Sequence, residues 1–229
     1  MVNKSALTVA CAALATMSAL AVHSMRSESS AEAIPPIRIT TFSEIYSSAT
    51  PADWATTADH IAEVTVVDEQ QGREEANAVE RLVTIRVDRT RWSRPGSAAL
   101  PQTFQMPAFG WVRTDAGLAE LVVPDASRIE PGHRYLMALI KLEPRCNADD
   151  GLVDRGGWSV IGSGGSVPFD GADIGQGEVE GASGQAVDGP PGSVLEAAET
   201  APNATAIVEI VDDATASPRP AQPGVREGC

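Results

Sequence analysis

The chain has 229 residues and carries 31 acidic against 17 basic side chains, a formal net charge of −14 at pH 7. A field of that sign repels nucleic acid and anionic membrane surfaces, which excludes a general nucleic-acid binder. Two lysines, Lys4 and Lys141, stand against fifteen arginines, and with the abundance of Ala, Gly and Asp this fits the coding bias of a GC-rich bacterial genome.

The first segment in chain order is the apolar run from Ala6 to Val22, with Lys4 ahead of it and His23-Ser24-Met25-Arg26 behind. A short basic start, an apolar middle and a polar stretch ending in small residues form the layout of a secretion signal. Ala31-Glu32-Ala33 supplies small residues at both positions a signal peptidase reads, so cleavage is expected before Ile34, and Val22-His23-Ser24 offers an earlier site. The run also sits at the lower limit of about 17 apolar residues for a spanning helix, so a retained anchor is the alternative for residues 1–33. Cys11 lies inside the run, and Thr8 stands where a lipoprotein signal carries Leu, which argues against lipid attachment. The chain is therefore read as secreted or extracytoplasmic, touching a membrane only through an uncleaved N-terminal segment.

Residues 34–175 read as one β-rich domain. Glu44–Ser47 and Ala52–Ala58 are expected to be short helical turns, the second with Thr50 as N-cap and Pro51 at its first position. His60–Asp68 and Val79–Thr90 are rich in β-branched residues and partly alternate, as half-buried strands do. The polar stretch Glu69–Asn77 is expected to join them as a long hairpin loop. Further strands are expected at Thr103–Met106, Gly110–Arg113, Leu118–Val123, His133–Leu142, Trp158–Ile161 and Val167–Phe169, separated by Pro-Gly, Asp-Ala-Gly and Gly-Gly signals. Short strands at that spacing suggest a small barrel or sandwich with one core. From 176 to 229, Gly, Pro, Ala, Ser and acidic residues dominate and aromatics are absent, so a disordered acidic C-terminal tail is expected. Thr205–Val211 is the exception and is expected to form a short strand or helix.

Three short stretches carry a resemblance. Ala58-Asp59-His60-Ile61-Ala62-Glu63-Val64-Thr65-Val66-Val67 is similar to the opening strand of secreted bacterial OB-fold-like domains, where a short helix leads into an A-D-x-I/V step. Val83–Arg89 with Trp92-Ser93-Arg94-Pro95-Gly96 resembles the second strand and its turn. Glu130-Pro131-Gly132-His133-Arg134-Tyr135-Leu136 resembles the P-G-x-x-Y-L entry to a later strand. The resemblance covers about Ala58–Leu142 and implies an OB-like barrel with a binding or interaction role. It carries no functional residue across, because no site motif accompanies it.

Chemical motifs are few. His60 and His133 lie in separate expected strands without the spacing of a zinc site, so both are read as strand histidines and neither a metal nor a cofactor is expected. Ser159, Ser163 and Ser166 sit among glycines, but none falls in G-x-S-x-G, and no catalytic residue is assigned. Asn147-Ala148-Asp149-Asp150-Gly151 with Asp154 departs from a calcium-loop register and is read as a solvated acidic loop. Cys146 and Cys229 survive processing, and outside the cytoplasm they either pair in a disulfide or remain for intermolecular pairing. The densest patch is Arg81, Arg86, Arg89, Arg91 and Arg94 beside Trp92, followed by Phe104, Phe109 and Trp111. Arg89, Arg91, Trp92 and Arg94 are the candidate ligand-binding residues, with an anionic envelope polymer or an extracellular protein as partner. The competing reading pairs these arginines with the protein's own carboxylates. The chain is thus read as a non-enzymatic exported binding module of the cell envelope, the alternative being a secreted hydrolase or metal-dependent enzyme with an unrecognised site.

Overall fold

A computed structural model of the chain describes residues 34–39, 44–146, 153–154, 156–171, 173–186 and 189–222. The expected signal or anchor (1–33), the expected acidic loop (147–152) and Cys229, with its expected pairing to Cys146, lie outside the described residues. The fold is mainly β, with 45% strand against 16% helix, and its principal sheet curls into a half-barrel.

The chain enters through β1 (Ile37–Arg38) and reaches α1 (Pro51–Thr57) without the helical turn expected at Glu44–Ser47, where the backbone only bends. The start of α1 follows from Thr50 and Asp53. The Thr50 hydroxyl accepts from the Asp53 N–H, and the Asp53 carboxylate accepts from the Thr50 N–H, closing a reciprocal capping box. Trp54 on this helix is fully buried and donates its indole N–H to the Ser48 and Gly164 carbonyls.

The next two strands are longer than their apolar cores: β2 spans His60–Glu75 and β3 spans Ala78–Ser93. The stretch expected as a loop is strand nearly to its end, and the turn is only Ala76–Asn77. Cross-strand charge holds the polar ends together. Arg81 pairs with Glu69 across the hairpin, and Arg113 of the following strand grips Glu74 with two bonds of 2.6 and 2.7 Å. Next, β4 (Thr103–Thr114) merges two expected strands through Pro107, and β5 (Gly117–Val122) pairs only with its last four residues, Trp111–Thr114. Beside Pro107, β4 is therefore a local edge, the position a residue without an N–H tolerates.

The chain then crosses back to β6 (Arg134–Leu142), which pairs with β2. Its run Tyr135–Ile140 is buried on both faces, so it reads as continuous apolar sequence rather than alternation. The other edge of β6 is shared, its first half by β10 (Ser166–Pro168) and its second by β9 (Gly157–Val160). Between β6 and β9 in sequence lie the two-residue strands β7 (Arg145–Cys146) and β8 (Val153–Asp154), which pair with each other. The sheet order is β1-β5-β4-β3-β2-β6-β10, with β9 added on β6.

The sheet separates two cores. Tyr135, Met137 and Leu139 of β6 fill the concave interior with Val64, Ile85, Met106 and Trp158. Leu136, Ala138 and Ile140 face the other way, against Trp54, Ile161 and Phe169. The structure differs here from the expected disordered tail. Residues 176–186 form the hairpin β11 (Gln176–Val179) and β12 (Ala182–Ala186), followed by α2 (Val194–Thr200) and α3 (Ala204–Asp213). Ala204, Ile207 and Val211 fall on one face of α3 and are buried in the outer core. The segment needs no aromatic core of its own, because β6 and α1 present one for it to cover.

Candidate functional site

The arginine cluster is drawn into the fold. Arg94 donates to the Ala55, Thr56 and Ala58 carbonyls and so caps the end of α1. Arg91 donates twice to Glu63 and reaches the Thr205 hydroxyl on α3. The Trp92 indole donates to Asp212, also on α3, while its ring lies 5.6 Å beneath the Arg94 guanidinium. Arg86 faces outward and pairs with Asp88. Arg89 is exposed, and among the described residues it has no ion-pair partner. Arg89, Arg91 and Trp92 share β3 and Arg94 follows its end, but Arg91, Trp92 and Arg94 are turned to partners on their own chain, which leaves Arg89 apart from them.

Arg81 is wholly buried and belongs to a different unit. Its guanidinium pairs with Glu69 and Glu130 and donates to the Arg128 and Ile129 carbonyls. Arg128, also buried, pairs with Glu130 and donates to the Leu121 and Gly110 carbonyls, with Trp111 flat against both arginines at 5.9 and 5.4 Å. Ile129 sits at φ +68°, unusual for a β-branched residue. That conformation aims the Arg128 and Ile129 N–H groups at one point, an anion-binding nest, and the Glu178 carboxylate of β11 fills it at 3.0 Å from each. The Tyr135 hydroxyl donates to the same carboxylate at 2.7 Å, and burial together with that negative charge pushes its ionisation far above the ordinary phenol range. The loop from Val123 to Gly132 is thereby locked against the open side of the half-barrel.

That open side holds a cleft of about 280 Å³. Pro107, Ala108 and Phe109 form one wall on the unpaired edge of β4, and Ile140, Leu142 and Val160 form the other on β6 and β9. Ile129, held by the network above, closes one end, while Glu44, Ser127, Ser159 and Ser163 supply a polar rim. Glu44 accepts from the N–H and hydroxyl of Ser163 at 2.6 Å each, which sets the rim rather than leaving it loose. The arrangement can take an apolar group with a polar end.

The histidines separate. His60 is buried, its ring nitrogens lying 2.8 Å from the Ser93 hydroxyl and the Ala98 carbonyl, and its ring 5.3 Å from Trp158. His133, at the entry to β6, is partly exposed; its Nδ1 lies against Asp170, and its Nε2 is 3.3 Å from the Ser183 hydroxyl. Among the described residues, no group of three or more His, Cys, Asp or Glu is placed to hold a metal ion. Sequence reasoning passed over the cleft walls and Ser183. Pro107 inside an apolar-aromatic run was the signal for an interrupted sheet edge, and Gly181-Ala182-Ser183-Gly184 marked a serine on a tight hairpin.

No family model, curated protein or solved structure matches this chain.

Proposed function

We propose that the protein is an exported binding module of the cell envelope whose ligand seats an apolar group in the cleft between β4 and β9. The single observation that carries this reading is the cleft itself: concave, apolar along its walls, polar at its rim and held by buried charge. Its residence outside the cytoplasm rests on the leader at Ala6–Val22. Among the described residues, no helix is long and apolar enough to cross a membrane. The net charge of −14 disfavours anionic ligands, so the occupant is a neutral or cationic amphiphile, such as an envelope lipid or its fragment.

We also read the half-barrel as OB-like. Each step in the order β4-β3-β2-β6-β9 is antiparallel, so the two end strands run in the same direction, as the closing pair of that barrel does. Phe104 of β4 and Trp158 of β9 meet across the gap with ring centroids 6.2 Å apart. Pro107 withholds the N–H that pairing there requires, and the cleft occupies the interval.

The test is titration with the neutral fluorophore N-phenyl-1-naphthylamine. Saturable enhancement is expected, and Ala108→Trp, which fills the cleft from the β4 wall, is expected to remove it while the melting temperature is retained. Absence of saturation, or equal enhancement in a folded Ala108→Trp variant, would overturn the assignment.

A further inference from the structure

His133, Asp170 and Ser183 come from three separate segments and form a hydrogen-bonded line that is partly open to solvent. His133 follows the Pro131-Gly132 turn, with Gly132 at φ +88°. Its backbone carbonyl accepts from Val66 N–H at 3.0 Å, which pins the entry to β6. Asp170 follows β10, and its other carboxylate oxygen accepts from the Arg134 N–H at 2.8 Å. Gly177 makes room for that carboxylate, since a Cβ there would lie 3.0 Å from Asp170 Oδ2. Ser183 lies on β12 at a bulge: the register passes from Gly177 opposite Gln185 to Val179 opposite Ala182, so Glu178 faces both Ser183 and Gly184. Bulges re-aim side chains in this way and are enriched beside active sites. Buried on one side of the hairpin, Glu178 is anchored by the Arg128–Ile129 nest and by Tyr135, so the platform carrying Ser183 is fixed from beneath.

We propose that Ser183, His133 and Asp170 form a serine nucleophile, its general base and the residue that positions the base, and that the site transfers acyl groups from neutral carboxylic esters to water. The inference goes beyond the binding role of the cleft and takes up the hydrolase alternative with residues the sequence motifs did not single out. The geometry has the required polarity. Asp170 accepts a hydrogen bond from Nδ1–H, which leaves Nε2 as the acceptor facing the Ser183 hydroxyl at 3.3 Å, a separation typical of unliganded sites that tighten on binding substrate. Ser183 Oγ attacks the ester carbonyl carbon, and its proton passes to His133 Nε2. The tetrahedral intermediate then collapses, the C–O bond to the alcohol breaks, and the alkoxide takes the proton from Nε2. Water, deprotonated by the same nitrogen, hydrolyses the acyl-serine and restores the hydroxyl, so the balance is ester plus water to acid plus alcohol. The line is open to solvent, with His133 and Asp170 side chains 22% and 31% exposed, and therefore suits an ester carried on a protruding group. The protein's charge disfavours anionic esters.

The test is covalent labelling of the purified protein with diisopropyl fluorophosphate, read by peptide mass mapping. In that reaction the O–P bond forms, fluoride leaves and the hydroxyl proton passes through His133 to solvent. One adduct is expected, on Ser183, absent in Ser183→Ala and slowed on the order of a hundredfold in His133→Gln. For Asp170, Asp170→Asn should slow labelling and remove the downfield His133 Nδ1 proton resonance that Ser183→Ala preserves. Should Ser183→Ala fail to fold, Ser183→Cys replaces it, with a rate of iodoacetamide alkylation that depends on His133. No adduct, adducts spread over several serines, or labelling unchanged by His133→Gln would each overturn the proposal. Fluorophore titration reads the cleft and covalent labelling reads this site, so the two fail independently.

Discussion

Asp59 joins three parts of the molecule through one carboxylate. It accepts from the Lys141 N–H on β6, the Ser97 hydroxyl after β3 and the Arg219 guanidinium near the end of the described chain. Burial by itself would raise this carboxyl, but those donors outweigh it and hold the group below the ordinary carboxylate range. A carboxyl depressed in the folded state stabilises the fold above the unfolded value of 3.8, and the contribution fades as pH falls through the folded value. Asp59→Asn is therefore expected to cost about 1–3 kcal/mol at neutral pH in urea unfolding, with the gap to the parent protein closing below pH 3.8. Residues of this kind show what is legible at the residue scale. Thr50 and Pro51 declare the start of α1 because the groups they meet lie within three positions. Arg94 does not, because the carbonyls it caps lie 36 to 39 residues away. Charge density in Arg89–Arg94 was visible; which of those charges would be consumed internally was not.

At the scale of elements, β2 and β3 were readable where Val64, Val66, Val83 and Ile85 set the alternation, and unreadable in Glu69–Glu75, where pairing partners rather than propensity extend the strand. The helix α3 makes the same point. Its stripe of Ala204, Ile207 and Val211 was present in the sequence, yet a stripe is ambiguous until something presents a surface to it. Ile207→Ala is expected to destabilise the protein by about 2–5 kcal/mol in thermal or urea unfolding, as a fully buried residue of the outer core. Ile210→Ala, on the exposed face three residues on, should stay within about 0.5 kcal/mol of the parent. Equal effects from the two would mean that α3 does not dock as described. The cleft is also an element-scale feature: β5 is too short to cover β4 along its length, and Pro107 sits in the part left uncovered.

For the whole molecule, net charge of −14 and the two-core layering act together. Acidic self-repulsion is long-ranged, whereas the buried pairs of Arg81 and Arg128 are shielded from salt by their surroundings. Raising the ionic strength from about 0.01 M to about 0.15 M should therefore raise the melting temperature, since screening weakens the repulsion more than the buried pairs. A fall would show that exposed pairs such as Glu74–Arg113 govern stability instead. By itself the sequence determined the mainly β character, the capped first helix, the apolar cores of the two central strands and the sign of the electrostatic field, because each is set by residue type, spacing of a few positions or simple summation. Only the tertiary structure decided that the acidic C-terminal stretch folds over the outer core, that Arg81, Arg91 and Arg94 turn to partners on their own chain and that β4 and β9 leave a cleft. It also decided that Ser183 meets His133 across 50 residues of chain, with Asp170 at the other ring nitrogen. Those outcomes depend on which distant surfaces come together, and the free energy of burying an apolar stripe or pairing a charge exists only once its partner is in place.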